Sequence, residues 1–413
     1  MQTQDPAAFL VDEFPAARRS MRVAVVTETY PPEVNGVAMS LARVVEGLQR
    51  RGHHVQLVRP RQAPHDTASD SQQFHEVLFR GLPIPRYPHL RLGVPSKRNL
   101  VRLWSMQRPD VVHVATEGPL GWSAVQAARH LRLPASSDFR TNFHAYSRHY
   151  GVGWLHRPIL AYLRKFHNRT AFTTVPTEAL RQDLAASGFE RLEVVGRGVD
   201  ACRFDPARRS AALRDAWGAA GETTVALYVG RLAAEKNLET LAAAYTAMRA
   251  VDPQTRLVVV GDGPQREELR ALVPEAVFAG QRAGDDLASH YASADVFLFP
   301  SLTETFGNVT TEAMASGLAV VAFAYAAAAE LIDDGTNGSL VPFGDRAEFV
   351  RRAAQLAGRA ASVRELGGEA RATALTRDLS GIVHRIEALM INIAATPAPP
   401  TQLQPEADAA PVG

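Results

Sequence analysis

An α/β protein built from two doubly wound domains is predicted here, on two observations. Short β-branched stretches alternate with segments of helical periodicity from residue 21 onward, and after Gly196-Arg-Gly-Val-Asp200 the alternation starts afresh. At 413 residues the chain is also longer than one hydrophobic core ordinarily organises.

Residues 21–27 are short, apolar and β-branched, as expected of a buried parallel strand. A turn rich in Pro and Gly follows, and residues 37–51 place Leu41, Val44, Val45 and Leu48 at helical spacing before Gly52 stops them. With a strand at 54–58 this opening is a βαβ unit. Strands are expected at 110–114, 135–139, 172–175 and 192–195, with helices near 96–107, 119–131, 157–169 and 177–187. The second series has strands near 223–229, 255–260, 275–278, 295–299, 318–323 and 338–341. Its helices fall near 236–249, 264–272, 284–293, 308–316, 326–332 and 345–357. The expected division is a lead-in over 1–20, a first domain over 21–195 and a second over 196–376. A helix over 377–393 and a tail over 394–413, rich in Pro, Ala and Gln and expected to be disordered, complete the chain.

Composition narrows the function. Hydrophobic residues make up 46% and charged residues 21%, too apolar for a disordered chain. A single cysteine, Cys202, excludes an internal disulfide and has no Cys/His company for zinc. The longest apolar run ends at Glu330, well short of the ~18 residues a membrane span needs, and the acidic N-terminus does not resemble a signal peptide. A cytoplasmic location is therefore expected. The net charge of +2 conceals an asymmetry: residues 1–195 hold 25 Lys and Arg against 16 Asp and Glu, and the remainder hold 20 against 27. The basic half suits an anionic surface or acceptor. Nucleic acid, which calls for a denser basic stripe with interleaved aromatics, is not an expected partner.

The strongest constellation is Pro300-Ser-Leu-Thr-Glu-Thr-Phe-Gly-Asn-Val-Thr-Thr-Glu312, from strand end through loop to helix start. Helix amides at Asn308 and Val309 make an anion site, and Gly307 permits close backbone approach. Glu312 lies one turn beyond Asn308, where a carboxylate can accept from ribose hydroxyls, and Glu304 flanks the loop toward a sugar. A helix cap at Glu304 and a solvated Glu312 are the plainer alternatives. In Leu227-Tyr-Val-Gly-Arg-Leu-Ala-Ala-Glu-Lys-Asn-Leu238, Lys236 is expected to open a helix against the macrodipole. Lys236 and Arg231 converging on a diphosphate would offset that cost; surface pairing with Glu235 or Glu239 is the rival reading. Gly263, in Val260-Gly-Asp-Gly-Pro264, sits near a nucleotide base or in a plain tight turn with Pro264 as first helical residue. In Thr27-Glu-Thr-Tyr-Pro-Pro-Glu-Val-Asn-Gly36, Asn35 and Gly36 end a proline-stiffened loop, and Gly36 marks close approach or positive φ. Arg140, Asn142, His144 and Tyr146 cluster after another strand, and His144 is the natural group beside a reacting centre.

In this order and spacing, the Pro-Pro-Glu-Val-Asn-Gly36 loop, Arg231 with Lys236, Gly261-Asp-Gly-Pro264, and Glu304 with Glu312 resemble the retaining family 4 glycosyltransferases. The resemblance covers roughly residues 21–393 and implies the GT-B architecture, two Rossmann-like domains facing a central cleft, with the last helix crossing back to the first. It further implies that Arg231 and Lys236 bind the donor diphosphate, Glu312 the ribose, and Glu304 with the amides near Gly307 the sugar and phosphate. Gly36 would face the diphosphate from the other domain and His144 would stand beside the transferred sugar. The Thr-Glu-Thr-Tyr-Pro-Pro start, Leu82-Pro-Ile-Pro85 and Asn142-Phe-His-Ala-Tyr-Ser-Arg-His-Tyr150 are similar to the GDP-mannose-dependent α-mannosyltransferase subgroup. GDP-mannose as donor and a lipid-linked or glycan acceptor follow from that likeness. One departure is Ala328-Ala329 before Glu330, where many members carry two glycines.

Hexosyl transfer by front-face displacement is expected, because no second carboxylate stands as a nucleophile. With no Asp-x-Asp motif, no metal and no cofactor are expected. A UDP-sugar-dependent enzyme, a nucleotide-sugar epimerase or hydrolase, and a non-catalytic nucleotide-sugar-binding protein are the rivals. Finally, from Arg80 to Arg108 there are seven basic residues and no acidic one, with Tyr87, Leu90, Leu92, Val94 and Trp104 interleaved. That stretch suits transient binding to an anionic membrane, or a solvated face beside the acceptor cleft.

Overall fold

The computed structural model describes residues 20–33, 35–63, 65–84, 87–140, 156–377 and 379–395. Its first sheet contains strands β1 (Arg22–Val26), β2 (His54–Pro60), β3 (Asp70–Ser71), β4 (Phe74–Phe79), β7 (Val111–Val114), β8 (Ala135–Asp138), β9 (Phe172–Val175) and β10 (Leu192–Val194). A separate antiparallel hairpin is formed by β5 (Gly81–Ile84) and β6 (Tyr87–Gly93). The second sheet contains β11 (Val225–Val229), β12 (Arg256–Val260), β13 (Val277–Gly280), β14 (Val296–Phe299), β15 (Ala319–Phe323) and β16 (Ser339–Val341). The first sheet runs β10-β9-β8-β7-β1-β2-β4-β3 and the second β13-β12-β11-β14-β15-β16. Every pairing is parallel except β3 with β4.

Strand order reverses between β1 and β7 in one sheet and between β11 and β14 in the other. At such a switch point the loops leaving adjacent strands part to opposite faces, and a crevice opens at the carboxyl ends. Every residue of β7, β11, β14 and β15 is buried, which is why the last three read as unbroken apolar runs and β7 as one interrupted only by His113.

Prediction and structure differ where polar or proline-rich segments form regular elements. Strands β3 to β6 and the helices Ala211–Ala216 and Ala360–Leu375 carry weak periodicity and were not expected. The helix after the Arg231 loop begins at Leu238, not at 236: Lys236 closes a short 3-10 turn, Ala234–Lys236, and Asn237 follows in the left-handed region. The macrodipole penalty expected for Lys236 therefore does not apply as stated. Pro264 likewise precedes its helix, Arg266–Leu272, by two residues.

The last helix, Leu379–Ala395, runs two residues beyond its expected end and packs Val383, Ile386 and Met390 against the first sheet's core. Its buried Glu387 accepts from Arg51 Nε at 2.5 Å and lies 2.8 Å from His53 Nε2. Met21 N–H donates to His53 Nδ1, so the proton of a neutral ring sits on Nε2 and points at the carboxylate. Burial pushes the Glu387 carboxyl upward, but His53 and Arg51 outweigh it and hold it below the usual range. A depressed carboxyl contributes stability above its unfolded value that is lost as pH falls through the folded value. Glu387→Ala strands Arg51 and His53 and should cost about 3–5 kcal/mol in urea unfolding. The acid-side loss of melting temperature below pH 4.5 should flatten in Glu387→Gln.

Candidate active site

The loop from β1 to the helix Gly36–Arg50 closes on itself. Asn35 caps the helix through Oδ1, accepting from Ala38 N–H at 2.8 Å, while its Nδ2 donates to Thr29 Oγ1 at 2.7 Å. Asn35 thus serves the loop. Gly36 has no positive φ; a Cβ there would come within 3.9 Å of Asn308 Nδ2 on the opposite domain. Gly36 is thus not a positive-φ position, and a Cβ there would make only ordinary van der Waals contact with the facing Asn308. The starts of two helices, Gly36–Arg50 and Asn308–Ala315, therefore meet across the cleft, and no side chain caps the second. Gly307 (φ 89°) turns the chain into it.

Lys236 and Glu304 form the charged centre beside that second helix. Lys236 Nζ is ion-paired with Glu304 Oε1 and lies 3.3 Å from Ser301 Oγ and 3.4 Å from the Thr303 carbonyl. Ser301 donates to Glu304 at 2.8 Å, and Tyr325 Oη donates to the Glu304 carbonyl at 3.1 Å. Arg231 reaches the same turn less closely, 3.9 Å from the buried Glu235, with its side chain 41% exposed. The rival partner Glu239 pairs instead with Arg346. Gly263 is there for packing: a Cβ would meet the Leu232 carbonyl at 2.3 Å, so the glycine lets the 261–263 turn lie flat on the loop carrying Arg231.

Glu312 is buried rather than a solvated surface group. Tyr291 donates to Oε2 at 3.2 Å and Arg43, on the facing domain's Gly36–Arg50 helix, to Oε1 at 3.4 Å. Burial raises its pKa, with Arg43 and Tyr291 working the other way. A carboxylate has about four lone-pair sites, so hydrogen-bonding capacity remains. Val309 is partly buried on the same helix.

Across the cleft, Arg140 is buried and tied to Asp138, whose other oxygen Arg197 holds at 2.9 Å. Burial would push Asp138 up, but the two guanidiniums keep it well below the usual carboxylate range. Burial first, then Arg197, lowers Arg140 to about 10. This pairing also ties Arg197, past the expected domain boundary, to the first sheet. Asn142, His144 and Tyr146 lie outside the described residues. Glu330 accepts from Glu178 N–H at 2.8 Å, joining the two domains, and Ala328 is buried in the second core.

Sequence reasoning missed Arg43, Tyr291, Ser301, Tyr325 and Glu28. Arg43 stands two turns beyond Gly36 and is recoverable by helical spacing; Tyr291 is invisible until its helix is placed. Glu28 accepts from the backbone N–H groups of Gly93 (2.5 Å), Leu120 (2.9 Å) and Gly121 (3.4 Å). It clamps the β5–β6 hairpin to a helix start.

With this geometry in place, the family is settled by comparison. Residues 34–203 match the model for Glycosyltransferase Family 4 and residues 223–359 that for Glycosyl transferases group 1. A GDP-mannose-dependent alpha-mannosyltransferase of Mycolicibacterium smegmatis is 40% identical over 306 residues, 73% of this chain and 79% of the relative. An alpha-monoglucosyldiacylglycerol synthase of Streptococcus pneumoniae is 26% identical over 78% of this chain and 75% of its own. The crystal structure of Anabaena Alr3699/HepE with UDP and glucose matches at a TM-score of 0.71 and 20% identity, covering 90% of this chain and all (100%) of that one. The chain belongs to glycosyltransferase family 4, with the GT-B fold. It is a glycosyltransferase.

Glu28 gives a pH prediction. Burial raises its carboxyl to about 6 against the lowering effect of its three N–H donors. A raised carboxyl binds its proton more tightly when folded, so the contribution of Glu28 to stability is fully present below pH 4.5 and is lost as pH rises from 4.5 through 6. About 2 kcal/mol is lost over that interval. Urea unfolding of wild type and Glu28→Gln between pH 4 and 7 should show this slope in the wild type only.

Proposed function

We propose that this enzyme transfers a mannosyl group from GDP-mannose, with retention, to a hydroxyl of a lipid-linked or glycan acceptor. The observation that carries the reading is the convergence of Lys236, Glu304 and the uncapped start of the Asn308–Ala315 helix opposite Gly36. The donor and acceptor classes are supported by the names of the mannosyltransferase and glucosyldiacylglycerol synthase relatives.

In this reading residues 196–376 form the donor domain and 21–195 the acceptor domain. The diphosphate lies between the amides of Asn308 and Val309 and the cations Lys236 and Arg231. Glu312 accepts from the ribose hydroxyls beside its Arg43 contact, and Glu304 accepts from the sugar. The acceptor oxygen attacks the anomeric carbon on the face the diphosphate leaves. As the carbon–oxygen bond to the diphosphate breaks, the departing oxygen takes the acceptor proton. Lys236, Arg231 and the helix amides stabilise its growing negative charge without a metal ion or other cofactor. Among the described residues no helix is long and apolar enough to cross a membrane. Exposed Arg80, Lys97, Arg98 and Arg102 support transient attachment to an anionic bilayer at its cytoplasmic face.

Donor binding raises the melting temperature of the native state. At a GDP-mannose concentration of one hundred times Kd the gain is about 2.7 kcal/mol. Lys236→Ala should abolish that gain while the unliganded protein still melts cooperatively. Undiminished GDP-mannose affinity in the variant would refute the diphosphate assignment. Stabilisation by UDP-glucose but not by GDP-mannose would refute the donor.

A further inference from the structure

Below the β5–β6 hairpin lies a groove of about 540 Å³ that the transfer chemistry leaves unused. Arg61, Arg80 and Arg91 line it together with Leu78, Leu82 and Pro83, and no carboxylate is among its lining residues. The nearest acidic groups are already engaged: Asp66 and Glu76 both accept from the buried Arg59. Arg61 donates to the Asp66 backbone carbonyl, and Arg91 makes only a long contact, 3.5 Å, to the Gly81 carbonyl. The Arg80 carbonyl accepts from Val94 N–H at 3.0 Å, while its exposed side chain makes no hydrogen bond or ion pair among the described residues. Arg61 thus stands beside Asp66, and Arg80 and Arg91 share the concave surface with it without a carboxylate partner among the described residues.

The groove's place in the fold gives it meaning. It sits at the carboxyl ends of β2 and β4, where Arg61 N–H donates to the Phe79 carbonyl at 2.8 Å. Strand order β1-β2-β4 puts it two strands from the loop bearing Gly36, roughly 10 Å across the sheet. Glu28 ties Gly93, the hairpin's last residue, into the same loop region. The rim is apolar and wet: the lining Leu82 is 50% exposed, and Leu92, its cross-strand neighbour, is 37% exposed. A free phosphate needs no such rim, whereas a lipid head leading into acyl chains does.

We infer that this groove binds the phosphodiester head of an anionic lipid, with the arginines on the phosphate and Leu82 and Leu92 on the glycerol and the first acyl carbons. Guanidinium forks match a phosphate bidentately, and the exposed leucines shield the emerging chains. The inference rests on the reading that the enzyme works at a lipid surface, and it adds a defined headgroup site to what was a diffuse basic stretch.

The test uses the full chain and three probes: dihexanoyl-phosphatidylglycerol below its micelle concentration, dihexanoyl-phosphatidylcholine, and inorganic phosphate. Each Lys or Arg near an anionic lipid surface is worth roughly a five-fold change in binding. Arg80→Gln should weaken binding of this monomeric phosphatidylglycerol about five-fold and Arg80→Gln/Arg91→Gln more than about ten-fold, while Arg98→Gln/Arg102→Gln, on the wider basic face but outside the groove, should weaken it less than about two-fold. Equal losses in the two double variants would mean diffuse surface charge and overturn the site. Equal affinity for inorganic phosphate or for the zwitterionic lipid would overturn the anionic-lipid assignment. Arg80→Gln alone, a change at an exposed side chain, decides the matter if the double variant does not fold. GDP-mannose thermal shifts should be the same in wild type and Arg80→Gln/Arg91→Gln, so a failure of the donor reading shows separately from a failure of this one.

Discussion

The whole site depends on two helix starts, at Gly36 and Asn308, being held face to face by separate sheets. A helix start presents amides with no partner in the helix and a partial positive charge, useful to an anion only if nothing else satisfies it first. In the first domain Asn35 does satisfy part of it, capping its own helix. In the second, Gly307 brings no side chain, so the amide dipoles remain directed into the cleft. The two ends therefore differ in kind: one is closed by its own cap, the other is left without a side-chain cap.

Holding them in register falls to directional polar contacts, some buried and some exposed. Arg43 with Glu312 and Glu330 with the Glu178 amide join the domains on the cleft side. Glu387 with Arg51 and His53 joins the last helix to the first sheet. Such contacts rarely add net stability over an apolar core, since desolvation offsets most of the attraction. Their strength is directional: each fixes one geometry and penalises departure from it. Glu312 is the clearest case. Its carboxylate is positioned by one group from each domain before any donor hydroxyl arrives.

Much of this was legible in the sequence, and the reasons are specific. Strands β1, β7, β11, β14 and β15 are fully or nearly buried on both faces, so their composition alone marks them. The helix start at Asn308 follows directly from strand, loop and glycine. The hairpin was not legible, because Pro83, Pro85 and Pro88 argue against strands and its anchor, Glu28, lies far away in the chain. Gly263 and Asn35 carried the right residue types for a ligand site, yet their geometry is taken up by Leu232 and by a helix cap. Local pattern shows that a backbone must come close to something; only the fold shows to what.

The charge asymmetry has a physical resolution of its own. The half of the chain that carries Lys236 has seven more acidic than basic residues, 27 against 20, a net charge that repels anions. Net charge, however, acts over distances that physiological salt screens within about 8 Å. Acidic residues such as Glu239, Glu267, Asp285 and Glu365 lie exposed on helices, whereas Lys236 is buried beside the Asn308 helix start, where fields are weakly screened. A few oriented groups at contact distance outweigh a larger number of remote charges. The basic half operates in the opposite regime: its exposed arginines act through the summed field over a surface. One chain thus carries two electrostatic arrangements, a short-range one of oriented groups at the cleft and a long-range one of exposed charge over a surface.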